Sequence, residues 1–249
     1  MKRFLLSVLI FITLAANAQN TSSRPAFRNG HLRLGLNYLG NKMDNNLSPK
    51  TNVFNGNFGA ETGYVLELGR NFYFNKNSTS PIRFGLDWTY ISLSYNKMGW
   101  DNYSNVTGTN DIVIDGSSIA ASVSGKLGPV IAFNPVEKLV IDARFQIAPS
   151  VYFFDQGYYN SEGQSNEQYF EFADYERENI EDGYDAESFK NRLSFGVKTA
   201  LGITVRRKAI GLALDYIPGK VKLNYDSNEG HGQDKIKANN LQLKLSFQL

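Results

Sequence analysis

The ten residues 240–249 constrain the fold most. Leu241, Leu243, Leu245, Phe247 and Leu249 fall on one face of an extended chain, and Gln242, Lys244, Ser246 and Gln248 on the other. Apolar and polar residues alternating at a period of two specify a β-strand with one oily and one wet face. A strand of a transmembrane barrel needs both, because one face meets lipid and the other a polar lumen. The stretch therefore reads as the closing strand of such a barrel, and the preceding chain should repeat its pattern.

At the other end, Met1-Lys2-Arg3 leads into the apolar run from Phe4 to Leu14 and then Ala16-Asn17-Ala18. A charged start, a short apolar core and an A-x-A site make a secretory signal peptide, with cleavage expected after Ala18. The apolar run is too short to anchor the chain in a bilayer. Residues 1–18 are thus the signal peptide, 19–30 a periplasmic lead-in and 31–249 the barrel. Roughly 230 mature residues without a Pro-rich or Ser-rich linker suit one domain. The chain has no Cys, which removes disulfides, thiol nucleophiles, thiolate metal sites and a lipoprotein anchor. Mean hydropathy is slightly polar at −0.34, as expected where only alternate residues face lipid.

Seven further segments carry the alternation. Residues 31–40 point Leu32, Leu34, Leu36 and Tyr38 outward. Residues 58–74 do so with Phe58, Tyr64, Leu66 and Leu68. A third strand begins with Ile82, Phe84, Leu86, Trp88 and Tyr90, after which the apolar phase moves to Ile91, Leu93 and Tyr95; a bulge or a strand end above the lipid would shift it so. Residues 117–133, the segment from Leu139 through Val151, the segment from Leu193 through Ile203, and the segment from Ile210 through Tyr216 complete the set. Each is long enough to cross, where a tilted strand needs roughly 9–11 residues. Connections alternate long and short, which places long loops outside and short turns in the periplasm, with both ends of the barrel on the periplasmic side. The expected fold is all-β: an eight-stranded antiparallel up-and-down transmembrane β-barrel. A soluble barrel would explain the alternation but not the loop asymmetry.

The inward face carries both signs of charge. Arg33, Glu61, Glu67, Arg83, Asp87, Lys126, Asp142, Arg144, Arg192, Lys198, Asp215 and Lys244 form the expected lumen network. Eight strands leave an interior that side chains just fill, and a buried charge must be paired. The lumen is therefore expected as a salt-bridged plug rather than a pore. Aromatics at the strand ends, among them Phe72, Tyr73, Phe74, Phe133, Trp88, Tyr90, Tyr95, Tyr152, Phe153, Phe154 and Tyr216, read as interfacial girdles.

The third outer loop, residues 155–188, is strongly acidic, with Asp155, Glu162, Glu167, Glu171, Asp174 and further carboxylates relieved by Arg177. No cofactor is expected, but Ca²⁺ or Mg²⁺ at this loop is a weak reading, since hard cations prefer carboxylate oxygens. The spacing matches no defined calcium loop. The formal charge of +2 is accounted for by Lys2 and Arg3, so no basic face for nucleic acid is expected. The two histidines, His31 and His231, fall on opposite rims, and no motif pairs either with a nucleophile. No catalytic or metal residues are assigned, and the protein is read as a non-enzyme.

The A-N-A site, the repeated strands and the closing Leu241-Gln242-Leu243-Lys244-Leu245-Ser246-Phe247-Gln248-Leu249 resemble the small outer-membrane β-barrel family, related in plan to the OmpA and OmpX barrels. The resemblance implies location in the outer membrane of a diderm bacterium, with outer-membrane lipids as surroundings. It also implies that Leu241, Leu243, Leu245, Phe247 and Leu249 form the insertion signal read by the barrel-assembly machinery; the chain ends on Leu249 where Phe is usual. Family members serve structural, adhesive or accessory roles. The leading expectation is a structural or surface-interaction role through the extracellular loops. The alternative is an accessory barrel of a secretion or surface-assembly complex resembling type IX secretion, with a surface or secretion-complex protein as partner. A loop-based enzyme comes last.

Overall fold

Alternating side chains need a partner strand on each edge, and this chain supplies them by folding back on itself repeatedly. The computed structural model describes residues 26–47, 49–74, 80–99, 112–162, 166–172, 184–189, 192–227 and 230–249. The expected signal peptide and most of the expected lead-in lie outside them. The described strands are β1 (Gly30–Leu39), β2 (Gly63–Tyr73), β3 (Ile82–Lys97), β4 (Ile112–Val136), β5 (Leu139–Glu162), β6 (Asn166–Phe172), β7 (Tyr184–Phe189), β8 (Leu193–Arg207), β9 (Ile210–Ile217), β10 (Lys220–Ser227), β11 (Gly230–Lys237) and β12 (Asn240–Gln248), with one short helix, α1 (Pro49–Asn55).

Strands β1, β2, β3, β4, β5, β8, β9 and β12 pair in that order, each antiparallel to the next. Strand β12 returns to β1, from His31 opposite Gln248 to Leu39 opposite Asn240. This ring is a closed eight-stranded barrel with no free edge. The remaining strands extend its wall on the long-loop side. The outer end of β5 pairs with β6, β6 runs parallel to β7, β7 pairs with β10, and β10 with β11.

Several expected boundaries move. The phase change after Tyr90 is a bulge: the β3–β4 register shifts between Thr89 and Ser92, leaving Tyr90 and Ile91 both exposed. The second strand starts at Gly63 rather than residue 58. The chain before it is diverted by α1, which begins on Pro49 and ends at Gly56 with φ of 82°, a left-handed C-terminal cap that glycine adopts without strain. Asn52 fastens the preceding loop to this helix, accepting from the Asp44 backbone N–H at 2.8 Å and donating to the Asp44 carbonyl at 2.9 Å. Strands β4 and β5 extend beyond their expected ends, pairing as far as Ile112 opposite Asn160. Part of the stretch read as a third loop is strand, and the segment after Pro218 is a hairpin. Both loops had enough β-forming residues to prolong the ladder.

The outer face is apolar. Leu66, Leu68, Phe84, Leu86, Val123, Ile131, Phe145, Ile147, Leu201, Leu212 and Leu214 are all exposed. The inner face holds Arg33, Glu67, Asp87, Lys126, Arg144 and Lys244, all buried. A soluble barrel has the reverse arrangement. An exterior of Leu, Ile, Val and Phe around a charged interior is stable only with hydrocarbon outside.

Candidate functional site

The lumen is where the charged side chains converge. At its centre Glu67 receives Lys126 at 2.5 Å and Lys244 at 2.8 Å, and lies 3.6 Å from Arg33. Arg33 also donates to Asp87 at 2.9 Å. Asp215 accepts from both Arg144 and Lys244, with Lys126 at 3.8 Å. Four cations thus interlock with three carboxylates, and neutral groups add further hydrogen bonds. Gln146 donates to Asp87 at 2.9 Å, Ser92 to Glu67 at 3.1 Å, and Arg144 to Thr204 at 2.5 Å. Burying these ions costs several kcal/mol each, on the order of magnitude of effective desolvation, and only this mutual pairing offsets it.

The close pairing depends on one near approach of the backbone. Gly35 lies opposite Lys244 on the β1–β12 seam, and a Cβ there would sit 2.6 Å from the Lys244 Cα. Only glycine lets the closing strand reach this position.

Toward the outer mouth the charges give way to amides. Asn37 donates to Asn96 at 2.5 Å and accepts from Gln242 at 3.0 Å and Asn240 at 3.2 Å. Lys198 follows, donating to the Tyr152 hydroxyl at 2.5 Å and to the Ala238 carbonyl. Its ammonium also lies 4.2 Å from the Tyr152 ring centroid. Above it the mouth is closed by an apolar cluster of Leu39, Val53, Phe58, Met98, Phe154 and Ile236, joined by Val221 and Ala238. Phe58 stacks on Phe154 at 5.4 Å between centroids. Helix α1 and the β10–β11 hairpin bring these residues over the barrel.

The periplasmic end is closed separately. Arg206 pairs with Asp142 at 3.0 Å and donates to the Ala26 carbonyl at 2.8 Å. Phe27 enters against Tyr73, ring centroids 5.8 Å apart, and the Arg83 guanidinium lies 4.9 Å from the Phe27 ring centroid. Val130, Ala132 and Val140 complete the apolar floor. Apolar clusters bound the polar core from both sides.

Of the expected network, Arg33, Glu67, Asp87, Lys126, Arg144, Asp215 and Lys244 meet at the centre. Asp142 lies at the periplasmic end and Lys198 below the mouth. Glu61 does not belong to it. Its side chain is 57% exposed and lies 3.9 Å from Lys97, because the chain has not yet entered β2 at that point. Arg83 sits at the periplasmic end, and Arg192 at the outer rim beside Asp155 at 3.1 Å. Arg206, which is not among the expected lumen charges, is a buried lumen residue; its parity with Lys198 and Gly202 is the signal that places it there. Tyr73, Tyr152 and Phe154 are not girdle residues but point inward, as the parity of their strands requires. On β12, Leu241 and Leu243 face outward, and Leu249 is exposed at its end.

Side chains of the acidic stretch beyond Asp155, where Ca²⁺ or Mg²⁺ is the weak expectation, lie outside the described residues, as does that of His231. Among the described residues no three His, Asp or Glu side chains gather as a metal site would require.

A closed eight-stranded barrel with a lipid-compatible exterior and a charged, filled lumen defines a small integral outer-membrane β-barrel protein. No protein-family model matches the chain, and no curated protein matches it. Among solved structures it is similar to Ail, the attachment invasion locus protein of Yersinia pestis. In the complex of Ail with the heparin analogue sucrose octasulfate, identity is 12% over 90% of this chain and 100% of that one, with a TM-score of 0.42. Ail alone gives 11% identity over 89% and 99%, also at 0.42. Ail in a phospholipid bilayer nanodisc gives 11% over 88% and 99%, at 0.35. The architecture described above stands on its own strand pairing and surface.

Proposed function

We propose that this protein is a non-enzymatic, non-conducting barrel whose role is played at the cell surface, by the strands and loops that rise above the membrane. The observation that carries this reading is the interlocked ion network centred on Glu67 and Asp215, bounded by apolar residues toward both ends. Such a lumen supports a rigid pedestal. The extension formed by the outer end of β5 with β6, β7, β10 and β11 is then the working surface, suited to contact a surface polymer or a partner protein. The outward-facing Leu241 and Leu243, with Leu245, Phe247 and Leu249, serve in this reading as the segment recognised by the barrel-assembly machinery.

The test has two arms. In planar bilayers the refolded protein is expected to give no unitary conductance steps; regular steps would overturn the closed-lumen reading. In cells, photo-crosslinkers placed along β10 and β11 are expected to capture a surface polymer or protein. Capture only from the periplasmic turns at residues 137–138 and 207–209 would instead favour an accessory role in a secretion complex.

A further inference from the structure

Strand β2 turns Leu66, Leu68, Arg70 and Phe72 outward, which sets a guanidinium in an apolar row. A charge on a lipid-facing wall is tolerated where it reaches the interface, and the barrel seam puts Arg70 there. Gly30, the first residue of β1, lies opposite Arg70. Leu249 donates its N–H to the Gly30 carbonyl at 2.9 Å. Arg70 is therefore level with the place where both seam strands leave the wall, on the short-turn side.

Aromatic rings hold the guanidinium in place. Its central carbon lies 5.5 Å from the Phe72 ring centroid. Trp88 of β3 lies opposite Arg70, with its ring 6.4 Å from that of Phe72 and 5.0 Å from that of Tyr90. Contact with a ring face uses the flat side of a guanidinium and leaves its in-plane N–H groups, the ones that grip a phosphate in pairs. Beside this row a recess of about 590 Å³ runs between Arg70, Tyr90 and Leu249. It is low over Gly30 and Gly69, the first an outward position without a side chain and the second an inward one. Arg28 also borders it, with one N–H committed to the Gln248 carbonyl at 2.9 Å.

We propose that this wall is a binding site for an anionic phospholipid of the leaflet on the short-turn side. The phosphodiester sits on the in-plane edge of Arg70, and the start of an acyl chain lies in the recess against Tyr90 and Leu249. Trp88 and Tyr90 are amphipathic rings suited to the headgroup level, and their N–H and O–H face the same interface. The aromatic contacts fix the guanidinium in advance of the ligand, and the recess explains why the ligand carries a chain. The proposal rests on the outer-membrane location and on the barrel, not on any partner of the outer loops.

The test uses the full chain refolded in detergent, comparing only protein that shows the heat-dependent gel shift of a folded barrel. Native mass spectrometry follows retention of phosphatidylglycerol against diacylglycerol with the same chains. The wild type is expected to retain the phosphorylated lipid preferentially. Arg70→Gln should reduce that preference about fivefold, as for one cationic side chain at a membrane surface. Arg70→Lys keeps the charge without the planar fork and should fall between the two. Arg207→Gln removes an exposed charge elsewhere on the short-turn side and should leave the preference unchanged. Gly30→Leu narrows the recess, since a Cβ there meets the Leu249 side chain, its nearest atom at 3.2 Å. It should weaken retention of both lipids. Unchanged preference in Arg70→Gln, or an equal loss in Arg207→Gln, overturns the proposal. Full displacement by millimolar inorganic phosphate, with no effect of Gly30→Leu, overturns the lipid in favour of a free anion. Loss of the gel shift in the wild type would instead remove the barrel reading itself.

Discussion

Lys244 Nζ, on the last strand of the barrel, lies 2.8 Å from a carboxylate oxygen of Glu67 on the second, and neither side chain has access to solvent. The first strand stands between them in the wall, so the contact ties both flanks of the closing seam through the lumen.

Removing the carboxylate strands cations rather than merely deleting a contact. Glu67→Gln leaves Lys126, Lys244 and Arg33 facing one another with Asp87 and Asp215 as the remaining acids. The expected loss is about 3–5 kcal/mol, typical of a buried ion deprived of its partner. Urea titration of the protein refolded in lipid vesicles measures it. Adding Lys126→Met should recover much of the loss, and failure to do so would separate the charge effect from packing.

Two buried cations should respond in opposite ways. Arg206 is paired with Asp142, so Arg206→Met exposes an orphaned carboxylate and should cost about 3–5 kcal/mol. Among the described residues, Lys198 has only a hydroxyl and a carbonyl as acceptors. Lys198→Met strands no opposite charge and places a flexible apolar chain under an apolar cap, so stability should stay within about 1 kcal/mol of wild type. The same vesicle titration compares them.

The lipid-facing surface can be tested at one position. Leu214 points outward and is 45% exposed. Leu214→Arg should cost about 2–4 kcal/mol in a bilayer if it lies near the midplane. In a soluble barrel the same change would be nearly neutral. Refolding yield and denaturant midpoint in vesicles decide between them.

Gly35→Val tests the close approach at the seam. Its side chain would meet the backbone of Leu243 and Lys244, and overpacking of this kind costs about 1–3 kcal/mol. The expected signs are a lower heat-shift midpoint and slower insertion, with an unchanged strand content by circular dichroism once folded.

Parity made most of the interior legible from sequence. Once Leu32, Leu34 and Leu36 face lipid, Arg33 must face the lumen, and the same step places Lys126, Arg144, Asp215 and Lys244. Parity fails where a strand has not begun. Glu61 has the right phase for β2, but residues 56–62 are still crossing the mouth. Parity also turns Arg206, Tyr152 and Phe154 inward, although a turn-like or rim-like composition around them points the other way. The mouth cluster was the least legible part. Val53, Phe58, Met98, Val221 and Ile236 come from three different outer connections, and nothing local to any of them indicates that they meet.

The pairing of β1 with β12 has a consequence for how the chain reaches its native state. Until residues 240–248 arrive, the ring is an open sheet with unpaired donors and acceptors along β1, and hydrocarbon offers neither a substitute. Contacts that join the two ends of a chain form late and slowly. The native molecule is therefore all or nothing: a chain missing its final strand is a ribbon with two adhesive edges, prone to association and proteolysis before it ever enters the membrane.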